Sequence, residues 1–85
     1  MKHRVEWSKR AFKALSRLDR PTQDRILAAV ASLAESNRGD VVRLRGLDDE
    51  AFRLRVGGWR VIFSYLENAT ILVHRVGSRG DVYKR

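Results

Sequence analysis

His3, Val5 and Trp7 alternate with Lys2, Arg4 and Glu6. That period of two predicts a short first strand. Ser8 then reads as a helix N-cap, because its hydroxyl can accept a hydrogen bond from a backbone N–H that the helix leaves unpaired. Ala11, Phe12, Leu15 and Leu18 fall on one helical face, with Lys9, Arg10, Lys13 and Arg17 mostly elsewhere. The spacing predicts a first helix over residues 9–18. Asp19-Arg20-Pro21 stops it and starts another, since proline lacks the N–H that a first helical turn cannot use anyway. Ile26, Ala29, Val30, Leu33 and Ala34 continue at helical spacing, and Asn37-Arg38-Gly39 ends the second helix after about Ser36. The two apolar stripes make the seam of a helical hairpin with a very short connection.

Residues 41–50 read as a connector. It contains Arg43-Leu44-Arg45-Gly46-Leu47, and Asp48-Asp49-Glu50 reads as a turn. Three sheet-like segments follow, over residues 51–56, 59–66 and 70–76. Gly57-Gly58 is a two-residue hairpin signal, because both positions tolerate positive φ. Glu67-Asn68 marks the next turn less strongly. The order is β-α-α-β-β-β, an α+β domain with a helical hairpin packed on one face of a small, mainly antiparallel sheet.

The hairpin fixes a register. With Gly57-Gly58 as the loop, Val56 faces Trp59, Leu54 faces Val61 and Phe52 faces Phe63. Tyr65 continues that apolar face, which packs on the helices. The opposite face carries Arg53, Arg55 and Arg60, with Arg55 directly across from Arg60. Like charges in that position destabilise a sheet by a few tenths of a kcal/mol, roughly, or more. Two arginines there suggest a surface built to receive an anion; alternatively, long arginines splay into water at little cost. Beyond the last strand, Arg79 and Tyr83 sit on a tail that could fold back toward this face. An exposed tyrosine near basic residues can stack on a base while arginine holds phosphate. It can equally cover the sheet edge.

Composition narrows the functional classes. The 85 residues fit one domain, residues 1–85. A chain this size buries only about 60–65% of its unfolded surface, and it is too short for a fold such as the TIM barrel, which needs roughly 200 residues. With 44% hydrophobic residues there is enough material for a core. The absence of Cys removes disulfides, thiolate catalysis and Cys-based zinc sites. No apolar run approaches the ~18 residues of a membrane span, and no signal-peptide pattern opens the chain, so the expected location is the cytoplasm. The net charge of +8 points to a polyanion, most simply nucleic acid, although a solvated basic surface also accounts for it. Residues 1–40 and 41–85 each carry nine basic and five acidic residues, so the placement of individual arginines matters more than the total. There is no metal-ligand spacing and no phosphate loop, and Asp48-Asp49-Glu50 reads as a solvated turn rather than a magnesium site.

These segments together resemble the RelE/ParE superfamily of toxins from toxin–antitoxin systems, and its RelE-like, mRNA-interferase branch in particular. The resemblance runs through Val5-Glu6-Trp7-Ser8 and Arg43-Leu44-Arg45-Gly46-Leu47. It continues through Phe52-Arg53-Leu54-Arg55-Val56-Gly57-Gly58-Trp59-Arg60-Val61-Ile62-Phe63 to Val76-Gly77-Ser78-Arg79 and Asp81-Val82-Tyr83. Single pieces are weak; their order and spacing over nearly the whole chain are specific. The resemblance implies a RelE-like fold and a metal-independent, cofactor-free endoribonuclease that cuts messenger RNA in the A site of the small ribosomal subunit. It also implies a RelB-like antitoxin that keeps the toxin silent. Arg60 would stabilise charge on the scissile phosphate, with Arg55 beside it. Arg79 would sit near the leaving 5′ oxygen, and Tyr83 would stack on or orient a nucleotide. Arg53, Arg43, Arg45 and Lys84 would bind RNA.

Two positions depart from the pattern. Ser78 stands where many relatives carry His, and Arg53 and Arg55 replace strand lysines of some relatives. Cleavage through the ribose 2′-OH needs a base, an acid and stabilisation of a dianionic phosphorane. Arginine meets the third need through its forked donors, but a guanidinium holds its proton too tightly to be a good base. The base is open among Tyr83, if surrounding arginines lower its pKa, His74 in the last strand, and less favourably His3. A lone strand histidine is more often structural. Two further readings remain: a ParE-like inhibitor of DNA gyrase without nuclease chemistry, and a degenerate member that binds antitoxin or RNA without cutting.

Overall fold

The computed structural model describes residues 2–44 and 51–78. Strand β1 (Arg4–Trp7) leads into helix α1 (Lys9–Ser16). The hydroxyl of Ser8 caps that helix, accepting from the Ala11 N–H at 3.0 Å. Helix α2 (Arg20–Ser36) follows Asp19, with Pro21 in its first turn. It stops at Asn37, whose N–H still bonds the Leu33 carbonyl and whose left-handed backbone (φ 57) then turns the chain out of the helix. Asparagine tolerates that region better than most side chains, so the helix end is written locally. The first helix is shorter than its apolar stripe, because Arg17 takes the C-cap and Leu18 packs from the connection.

The sheet has five strands in the order β1-β5-β4-β3-β2. The last three in sequence are β3 (Ala51–Val56), β4 (Trp59–Leu66) and β5 (Thr70–Ser78). β1 runs parallel to β5, and the other pairs are antiparallel. The extra strand, β2 (Asp40–Leu44), lies in the segment read from sequence as connector. It pairs with β3 on the sheet edge. Its alternation is too short to register in the sequence: among its five residues Val41 alone packs on the main core. The predicted turn at Asp48-Asp49-Glu50 lies outside the described residues. β5 continues two residues past its predicted end, to Ser78.

The hairpin register is the one expected, with Phe52 opposite Phe63, Leu54 opposite Val61, Arg55 opposite Arg60 and Val56 opposite Trp59. Leu54, Val61 and Phe63 enter the core against Ile26, Val30 and Leu33 of α2. Burial of such side chains stabilises the fold by about 1.5–3 kcal/mol each. Phe52 stacks on Phe63 at 5.6 Å between ring centroids, and Tyr65 meets both edge-on.

One irregularity matters for the other face. Ile62 pairs with Arg75, but Phe63 pairs with Val73, so His74 is an extra residue on β5. Such a bulge twists the strand and re-aims the residues around it. Val73 and Val76 both lie in the core. Two residues therefore stand between them on the side away from the helices.

Candidate nucleic-acid interface

The helix-free face is organised in rows across the strands. One row runs Asp40, Arg55, Arg60, Gly77; the next runs Val42, Arg53, Ile62, Arg75. Four guanidinium groups thus gather near the β3–β4 hairpin, on three adjacent strands. Gly77 brings no side chain beside Arg60, which leaves backbone open to close approach. Farther along the face, Leu44, Ala51 and Ile62 form a small apolar cluster.

The arginines differ in what they touch. Arg55 Nε lies 3.3 Å from an oxygen of Asp40, and both side chains are half exposed. The carboxylate that a stable sheet would place beside Arg55 is therefore present, on the strand that sequence reading missed. Arg60 is held more loosely, donating from Nη1 to the Trp59 carbonyl at 3.4 Å. The Nε atoms of Arg53 and Arg60 are buried and have no acceptor among the described residues. An unmet buried donor costs about 1–3 kcal/mol, more when it is charged. Two such donors on one face can take an anionic acceptor.

Not every sequence candidate joins this cluster. Arg43 pairs with Phe52, so its position lies on the helix side of the sheet rather than among the arginines. Arg45, Arg79, Tyr83 and Lys84 lie outside the described residues. His3 stands at the helix side too, its ring 5.5 Å from Tyr65. His74 is on the arginine face, with Nε2 2.8 Å from Ser64 Oγ. Arg75 was not singled out from sequence. A strict period of two from Val73 would send it into the core, and only the bulge turns it out. Asp40 was missed because it follows a helix-ending Asn-Arg-Gly and so read as loop. Among the described residues, no three His, Asp or Glu side chains come together as a cation site, and no helix is long and apolar enough to cross a membrane.

A two-helix hairpin on a five-stranded sheet, with arginines on the open side, defines a small basic α+β protein of the RelE type. The sequence model described as the ParE toxin of type II toxin–antitoxin systems matches residues 5–83. Among solved structures, the RelE–RelB complex of the archaeon Pyrococcus horikoshii is similar at 30% identity and a TM-score of 0.78, over 95% of this chain and 99% of that one. The RelB–RelE complex of Methanococcus jannaschii is similar at 24% identity and TM-score 0.72, over 93% and 95% of the two chains. Free RelE of E. coli, in mutant form, shares the fold at 22% identity and TM-score 0.71, over 94% and 86%. Among curated proteins none matches. The chain belongs to the ParE toxin family of type II toxin–antitoxin systems, within the RelE/ParE superfamily.

Proposed function

We propose that this toxin is a ribosome-dependent endoribonuclease that cuts messenger RNA in the A site of the small ribosomal subunit and so stops translation in the cytoplasm. The observation that supports this most is the pair of buried Nε donors on Arg53 and Arg60 that find no acceptor among the described residues, with Arg55 directly across from Arg60. In this reading Arg60 and Arg55 face the scissile phosphate. Their charge favours the dianionic transition state over the singly charged ground state, which is the only kind of binding that speeds the chemical step. Arg53 holds the flanking backbone, and resemblance adds Arg45 and Lys84 as RNA contacts, whereas Arg43, on the helix side of the sheet, lies away from this cluster. Resemblance assigns Arg79 to the leaving 5′ oxygen and Tyr83 to a nucleotide base. The chemistry needs no metal, because the nucleophile is the substrate's own 2′-OH.

Two of the similar structures are toxin–antitoxin complexes. A RelB-like antitoxin with an acidic or amphipathic segment fits the basic open face and would fold on docking. Neutralisation then covers some of Arg53, Arg55, Arg60 and Arg79, or displaces the tail that bears Tyr83. A structure of the complex showing neither change sinks that arrangement.

A second reading is a ParE-like toxin that inhibits DNA gyrase by binding, without nuclease chemistry; the family model carries the ParE name. Two assays separate them. Incubation with programmed ribosomes, followed by mapping of messenger breaks, should give cleavage at the A-site codon. A gyrase supercoiling assay should show no inhibition at the same toxin concentration. The reverse pair of results moves the gyrase reading to first place. Inactivity in both leaves a degenerate member that binds without cutting.

A further inference from the structure

The open face needs a group that can take a proton, and few of its described residues can. Guanidinium groups keep their protons and do not serve as bases. Asp40 is committed to Arg55. Glu6 lies across β5 from the arginines, opposite Leu72 on β1. Among the described residues of this face His74 is left, on β5 beside Arg75.

Its placement is firm. The bulge turns Arg75 outward beside it and returns Val76 to the core. The backbone there is held from below: Ser8 Oγ donates to the His74 carbonyl at 3.0 Å, and the Ser8 N–H donates to the Val73 carbonyl at 2.9 Å. The ring is held by Ser64, whose Oγ is 2.8 Å from Nε2. Ser64 is only 7% exposed, and so is Ile62 next to it. Water therefore reaches that side of the ring poorly, and the hydrogen bond fixes the ring's orientation. Among the described residues no hydrogen bond reaches Nδ1. When Nε2 carries the proton and donates it to Ser64, Nδ1 presents its lone pair.

The geometry points to His74 as the general base of RNA cleavage, with Ser64 as the residue that positions it. This rests on the nuclease reading above. Neutral His74 takes the proton from the ribose 2′-OH through Nδ1. The freed oxygen attacks the adjacent phosphorus, and the bond from phosphorus to the 5′ oxygen breaks. The departing 5′ oxygen takes a proton from solvent water, and the imidazolium returns its proton to the hydroxide left behind. The products are a 2′,3′-cyclic phosphate and a 5′-hydroxyl, with no net proton consumed.

The test is single-turnover cleavage of messenger on programmed ribosomes across a pH series, beside an NMR titration of His74 in the free toxin. A base works when deprotonated. The wild-type rate should therefore rise with pH through the titration of His74 and then level off. His74→Gln keeps an amide able to bond Ser64, and it should lower the plateau by roughly 10²–10⁴ and abolish the acidic limb. Ser64→Ala should displace the limb and cost less rate. Arg60→Ala should lower the plateau and leave the limb in place. If His74→Gln cuts at the wild-type rate with its limb intact while Arg60→Ala is slow, the base is elsewhere and the nuclease reading stands. If the wild-type toxin makes no break on ribosomes, both fall. Should His74→Gln fail to give a native NMR spectrum, Ser64→Ala decides: an unmoved limb overturns the proposal.

Discussion

The two faces of the sheet are built from the same strands and differ in almost every physical respect. On β3, Phe52, Leu54 and Val56 turn toward the helices, while Arg53 and Arg55 turn away. The helix side is mostly apolar: its aromatic rings stack, its aliphatic side chains fill the space against α2, and His3 Nδ1 is its one buried polar side-chain atom without a partner among the described residues. The open side is charged. It sets Arg55 across from Arg60 and, among the described residues, leaves two buried guanidinium donors without acceptors. Local disagreement of this kind is expected where a surface serves a ligand rather than the fold. Because a strand alternates with period two, neighbouring residues in the chain answer to different demands, and each face can be altered with little effect on the other.

The harshest way to strain that division is on the helix side. Phe63 is completely buried, at 0% exposure, where β3, β4 and the helices meet. Phe63→Ala should cost about 3–5 kcal/mol, as transfer and cavity terms add. For a domain of this size that is a large part of total stability. Chemical denaturation should show it directly, with any loss of toxicity tracking unfolding. A melt close to wild type would mean that the core is loose around β4.

The open side should show the converse. Arg60→Ala should lower cleavage on the ribosome by about 10²–10³, the usual cost of removing one donor to a developing anion. Stability should hold or rise slightly, since the change relieves both an unmet donor and a like-charge pair. Ribosome binding should weaken far less, because many other basic residues share it. Arg79→Ala should behave in the same way. Wild-type cleavage by both variants would remove these residues from the mechanism.

How far the sequence foretold this division depends on the element. Both faces of β3 and β4 were legible, because Gly57-Gly58 pins the register and the alternation runs uninterrupted from Phe52 to Phe63. β2 was hidden: with one residue packed on the main core, an edge strand leaves little periodic trace. The bulge was hidden for a different reason. It is a property of how β4 and β5 pair, and no residue at 73–76 announces an extra position. Strict alternation therefore gives no sign that Arg75 turns outward, and nothing beside Asn37-Arg38-Gly39 marks Asp40 as a strand residue. The contact of His74 with Ser64 was likewise out of reach, since it depends on that pairing. Arg60 and Arg55 could be chosen from sequence because both lie on the well-pinned hairpin.

A milder change probes where the two faces are joined. Ser8 caps α1 and also donates to the His74 carbonyl. Ser8→Ala should cost about 0.5–2 kcal/mol, the usual range for a lost N-cap. If the second bond also steadies β5 under His74, cleavage should fall more than the stability loss explains at a temperature where the variant remains folded. Ser8→Thr should restore both. A variant that loses stability but keeps full cleavage would confine Ser8 to the helix cap.

The smallest expected effect belongs to Arg55. Its ion pair with Asp40 is half exposed, so solvent screens it, and such a pair contributes about 0.2–1 kcal/mol at most. Removing Arg55 also removes its repulsion from Arg60, which works in the opposite direction by a similar amount. Arg55→Ala should therefore change the unfolding free energy by less than about 0.5 kcal/mol, the range of an ordinary surface substitution. Asp40→Ala differs in sign: it leaves two facing arginines without their carboxylate and should be the more destabilising of the two. Raising the salt concentration should shrink that difference, because screening weakens both the pair and the repulsion. If Arg55→Ala instead proves as costly as a core truncation, Arg55 is part of what holds β2 to β3, and the separation of the two faces does not extend to the sheet edge.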